Sequence, residues 1–151
     1  MVKLLPILLG ENIMATRYVL VVVNVAEAIV ENNLYKYVYM VDSTGYVGVN
    51  GEGGNELLTT CKVGDAIQWT ATSIDPGNDV AITAITGQAV QSAMIDVDNI
   101  PQGGVVSTQA YVAKPGVHVQ YSMTLNLDDE TTMSFDPFIT ANARASGDDE
   151  E

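Results

Sequence analysis

From residue 117 to residue 128 apolar and polar side chains change places at every step: Val117, Val119, Tyr121, Met123, Leu125 and Leu127 alternate with His118, Gln120, Ser122, Thr124, Asn126 and Asp128. Only a strand sends successive side chains to opposite faces, so this stretch has one buried face and one wet face. Asp128-Asp129-Glu130 supplies a polar turn, and Met133 and Phe135 resume the alternation over residues 131–135, which predicts a β-hairpin.

The same period recurs at residues 65–72, where Ile67, Trp69 and Ala71 oppose Gln68, Thr70 and Thr72. Asp75-Pro76-Gly77-Asn78 is a turn, and a strand over residues 80–86 follows it. Residues 17–23 are apolar on both faces through Val19, Leu20, Val21, Val22 and Val23, which predicts a central strand covered on both sides. Strands over residues 36–42, 56–62 and 105–114 bring the set to about eight, separated by Gly, Pro, Asn and Asp. Residues 25–33 alone read as helical, and no fixed-period repeat points to a solenoid or propeller. The expected fold is all-β: an antiparallel β-sandwich, jelly-roll-like, with at most one short helix. Pro137 lacks an amide donor and belongs at a strand end or sheet edge, with Phe138 folding back onto the core.

A chain of 151 residues is long enough for one real core. Residues 17–140 form that domain, residues 1–16 an N-terminal extension, and residues 141–151, ending in four carboxylates, an acidic tail expected to have no structure. The extension has a short apolar run interrupted by Pro6, and a start at Met14 is its alternative reading. Six basic against nineteen acidic residues give a net charge of −13, which excludes nucleic acid and anionic membranes as partners, since both need a basic surface. No apolar stretch reaches the ~18 residues of a membrane span. Cys61 is the only cysteine, so no internal disulfide forms and a reducing cytoplasm suits the chain better than secretion, the lesser reading.

Chemistry is sparse. The sole histidine, His118, sits on the expected solvent face with no nucleophile elbow elsewhere, and one His with one Cys cannot make a structural zinc site. Cys61 lies in an expected strand, where a small buried residue is the ordinary role. The glycine-rich loop of residues 48–54 lacks the Lys-Ser/Thr ending of a phosphate cradle and carries Glu52, which repels phosphate. It reads first as a flexible strand connection, and Asn50, Gly51, Glu52, Gly53 and Gly54, together with Trp69, are the first place to seek a ligand. No cofactor is expected. Asp75 with Asp79, Asp96 with Asp98, and Asp128-Asp129-Glu130 read as solvated turns, with calcium binding as the lesser reading. Tyr35, Tyr37 and Tyr39 alternate along one expected strand face as a half-buried row, and Met123 and Met133 fall on core faces.

Five segments, in order, resemble the PixA/AidA family of bacterial inclusion-body proteins: YVLVVVNVAEAI at 18–29, YVYMVDSTGYVG at 37–48, GEGGNELLTTCKVGDAIQW at 51–69, SIDPGNDVAITAITG at 73–87 and YSMTLNLDDETTMSFDPFI at 121–139. The last ends in S-F-D-P-F, similar to the family's terminal motif. The resemblance implies a β-sandwich whose relatives accumulate as intracellular inclusions or are made under cell-density control in host-associated bacteria. It carries no catalytic residue. Six methionines set the chain apart from methionine-rich members, so no sulfur-storage role follows. The expectation is a non-enzymatic protein whose partner is itself, in homo-oligomers or cytoplasmic assemblies; the alternative is a β-sandwich module for a carbohydrate or other small ligand.

Overall fold

The alternation of residues 117–128 does not run through a single strand. It divides at Tyr121 into β8 (Gly116–Gln120) and β9 (Ser122–Leu127), and its partner divides at Asp136-Pro137 into β10 (Thr131–Phe135) and β11 (Phe138–Asn142). The computed structural model describes residues 14–44 and 54–144. Register survives the break: Phe135 faces Met123 and Phe138 faces Gln120, so Pro137 stands opposite Tyr121. The Tyr121 N–H donates to the Pro137 carbonyl at 3.0 Å, and proline has no N–H to return the bond. The ladder therefore opens at this one position. Phe138 does not fold back as a terminal plug; it starts a further strand.

The remaining strands are β1 (Thr16–Val23), β2 (Val38–Asp42), β3 (Leu58–Lys62), β4 (Ala66–Ser73), β5 (Val80–Thr86), β6 (Ile95–Val97) and β7 (Ser107–Val112). One sheet has the order β2-β1-β4-β7-β6. The other two, β10-β9-β5 and β3-β11-β8, are joined end to end by the runs β8 to β9 and β10 to β11 and make the facing layer of an all-β fold. Two neighbouring pairs, β1 with β4 and β11 with β3, run parallel, an arrangement that alternation in sequence does not report.

Helix α1 (Val25–Glu31) starts where the Asn24 side chain accepts the Glu27 N–H and stops where Asn32 turns left-handed at φ 52°. It buries Val25 and Ala28. A 3-10 turn takes Tyr35–Tyr37, so the three tyrosines do not share a strand face: Tyr35 and Tyr39 are exposed while Tyr37 packs partly on the core. A second, shorter helix of one turn, α2 (Gln88–Gln91), leads into β6.

The core lies between the layers. Val19, Val21 and Val23 of β1 and Ile67, Trp69 and Ala71 of β4 meet Ile82 of β5, Met123, Leu125 and Leu127 of β9, and Phe135 and Ile139 beyond them. Along residues 117–128 the expected inward face holds except at Val117, which is 79% exposed. His118 takes φ 53° and its N–H bonds Thr140 Oγ1 at 2.8 Å, where β8 carries an extra residue against β11, and that bulge turns Val117 outward.

The buried carboxylate Asp65, 1% exposed, clasps both ends of the described chain. It accepts from the N–H groups of Ala15 and Lys62 and pairs with Arg17 at 3.3 Å and Arg144 at 3.0 Å. Ala141 and Asn142 lie in β11, with Ala141 buried, so ordered structure continues past the boundary expected at residue 140.

Candidate functional site

Chemistry does not converge at any point of the described structure. Among the described residues no three His, Cys, Asp or Glu side chains gather to hold a metal ion. His118 is exposed and packs tilted against Phe138, the rings at 52° with centroids 4.3 Å apart. Cys61 is buried, and desolvation, with Asp65 adding to it, pushes its thiol up to about 12. A thiol held neutral in this way is no nucleophile. The acidic turn after β9 is put to structural use: Asp128 accepts from Asn78 Nδ2 at 2.7 Å and from the Asp79 N–H at 2.6 Å, tying two loops together.

Of the residues named for ligand binding, Asn50, Gly51, Glu52 and Gly53 lie outside the described residues. Gly54 is half-buried, with open space where a Cβ would sit. Trp69 is fully buried and its N–H is taken by Tyr121, so it offers no surface to a ligand.

What the fold does create is a surface. β1 was expected to be covered on both faces; its outer face is open, with Tyr18 55% and Leu20 39% exposed. Strand pairing extends that face sideways. Val41, Leu20, Thr70 and Ser107 form one row across β2, β1, β4 and β7; Tyr39, Val22 and Thr72 form the next, and Tyr18, Gln68 and Gln109 lie on the other side. A last row runs Thr16, Ala66, Tyr111 and Asp96. Among these outward positions Asp96, on the far edge strand, alone carries a charge. A shallow depression of about 400 Å³ lies between Tyr18, Leu20, Val41 and Thr70. In a chain of net charge −13, a sheet face that is aromatic and aliphatic at one side and neutral over four of its five strands is the exception. Sequence alone shows these residues as apolar but not which sheet face they share, because the order β2-β1-β4 depends on pairing between distant segments.

The family model described as "Domain of unknown function (DUF8788)" matches residues 16–134, all but the outermost parts of the domain. The chain belongs to the DUF8788 family. No curated protein matches the sequence. Among solved structures, this DUF8788 chain is similar to the crystal structure of an inclusion body protein, PixA, from Burkholderia cenocepacia J2315. The TM-score is 0.58 and the identity 16%, over 86% of this chain and 95% of that one. The resemblance read from the sequence thus holds at the level of fold, with DUF8788 as the family that the match defines. No helix among the described residues is long and apolar enough to cross a membrane.

Proposed function

We propose that this protein acts by associating with copies of itself, in homo-oligomers that build cytoplasmic assemblies, and that it catalyses no reaction. The observation that carries this reading is the outer face of the five-stranded sheet, where Tyr18, Leu20, Tyr39 and Val41 stand exposed without a carboxylate among them. Like charges repel over most of an acidic surface, so two copies approach best through the face that holds almost no charge. Burying aromatic and aliphatic side chains there supplies the attraction, and Tyr is a residue type enriched in such contacts. The fold shared with an inclusion body protein supports the same reading. Remaining repulsion between the acidic bodies falls as carboxylates are neutralised, so assembly grows as pH drops toward the pI of about 4.1 or as calcium is added.

Sedimentation velocity of the purified chain tests this, with Leu20→Glu and Val41→Glu as variants on outward positions that leave the core untouched. The native chain sediments as an oligomer and both variants shift toward monomer while keeping their far-ultraviolet circular dichroism. A native chain that stays monomeric at all concentrations, or variants that sediment as the native chain does, overturns the reading.

A further inference from the structure

On the opposite side of the molecule from β2, the two layers part between their edge strands β5 and β6, and the opening holds a groove of about 590 Å³. Its walls are apolar: Ile85 from β5, Val90 from α2, Ile95 and Val97 from β6, and Ile100 beyond. Val90, Val97 and Ile100 are only partly buried and pack against the core, so the groove is an accessible extension of it. Asp98 and Asn99 stand at one end and also border a second recess of about 350 Å³, whose other lining includes Gln68, Ser107 and Gln109. An apolar trough therefore runs into a polar recess, with a carboxylate at the junction. That carboxylate is placed by the sheet, since the Asp98 N–H bonds the Gln109 carbonyl at 2.9 Å. Its side chain has no hydrogen bond or ion pair with any described residue. Asp96 lines the same groove, and the one cation there, Lys114, leans at 3.5 Å toward the Ser92 carbonyl.

We infer that this groove binds an amphipathic cation, an amine or quaternary ammonium group on an apolar body, with the apolar part against Ile85, Val97 and Ile100 and the cationic head at Asp98. The volume is that of a small-molecule site, and mostly apolar walls with a few placed polar groups are the usual make-up of one. Charge selects the head: two carboxylates against one ammonium, on a molecule of net charge −13, disfavour an anionic amphiphile and draw a cationic one. The extra residue at Thr83, which breaks the register of β5 against β9, disfavours an added peptide strand as the occupant, since a bulged edge is a poor template. The apolar walls lie between the layers, away from Tyr18, Leu20, Tyr39 and Val41, while the polar recess borders the sheet face proposed for self-association through Gln68, Ser107 and Gln109.

The test is titration of the nitrogen-15-labelled chain by NMR with dodecylammonium below its micellar threshold, with dodecyl sulfate in parallel. Saturable one-to-one binding of the amine is expected, with shifts confined to residues 83–85, 90–100 and 113–114 and no saturable binding of the sulfate. Asp98→Asn weakens binding about tenfold, the scale of losing one charged hydrogen bond. Asp75→Asn, which removes the same charge at the turn between β4 and β5, leaves it unchanged. Equal binding of the sulfate, shifts scattered over the surface, or equal weakening by the two variants overturns the inference.

Discussion

The indole N–H of Trp69 donates to the phenol oxygen of Tyr121 at 2.9 Å, with the two rings tilted by 54° and their centroids 5.6 Å apart. Both residues are fully buried. The bond joins β4 of one layer to the point where the other layer breaks between β8 and β9. Tyr121 thus fills the core with its ring, satisfies the one polar group Trp69 brings inside, and gives its backbone N–H to Pro137. Tyr121→Phe keeps the volume and strands the indole N–H, and a stability loss of about 1–3 kcal/mol is expected. Urea unfolding followed by Trp69 fluorescence measures it; a midpoint equal to the native one shows that the bond contributes nothing.

Asp65 binds four donors from three parts of the chain, and two of those donors are guanidinium groups. Removing the carboxylate in Asp65→Ala leaves Arg144, whose side chain is 10% exposed, with one charge partner fewer in a largely dry setting. A loss of about 3–5 kcal/mol is expected, the range for breaking one side of a buried pair. Arg17 is 32% exposed, so Arg17→Met costs far less. Equal unfolding midpoints for the two variants contradict the clasp.

Gly87 adopts φ 94°, and a Cβ placed there would lie 2.9 Å from the Ser122 amide nitrogen and from the Tyr121 Cα. The residue lets the turn after β5 pass close against the backbone where β8 gives way to β9. Gly87→Ala therefore meets both a left-handed backbone and a rigid wall, and destabilisation beyond ~1 kcal/mol is expected. Gly103, also at positive φ but with nothing within 4 Å, separates the two effects: its alanine variant feels the backbone strain alone and loses less.

Burial raises the Cys61 thiol from 9.0 to about 12 and raises the Tyr121 phenol above its ordinary 10.0. Above the ordinary values the unfolded chain releases these protons while the folded chain keeps them, so the unfolded state binds fewer protons and stability falls with rising pH. The contribution is complete below pH 9 and is lost progressively from pH 9 toward 12. A slope of about 1.4 kcal/mol per pH unit per group is the upper bound. Cys61→Ala flattens the decline in urea midpoints between pH 9 and 10; an unchanged slope removes Cys61 from the account.

Local pattern was enough wherever a segment carried its whole instruction within itself. The strand Thr131–Phe135 falls where alternation put it, because period two can satisfy only one backbone geometry, and Val80–Thr86 falls where the turn written in Asp, Pro, Gly and Asn put it. The inward faces of Ile67, Trp69 and Ala71, and of Met123, Leu125 and Leu127, were legible for the same reason. The break at Tyr121 was not, since nothing in the alternation of residues 117–128 marks the place opposite a proline sixteen residues later in the chain.

The sequence by itself determined the class of the protein, an all-β, acidic domain, because hydrophobic period and net charge are sums and rhythms that need no partner. Only the tertiary structure decided that Leu20 would stand beside Val41 and Thr70 on an open face, that Asp65 would hold both ends of the described chain, and that β5 and β6 would leave a groove between them. Each of these depends on which distant strands lie side by side. That choice is made by the packing of the whole core at once, and no single segment of the chain contains it.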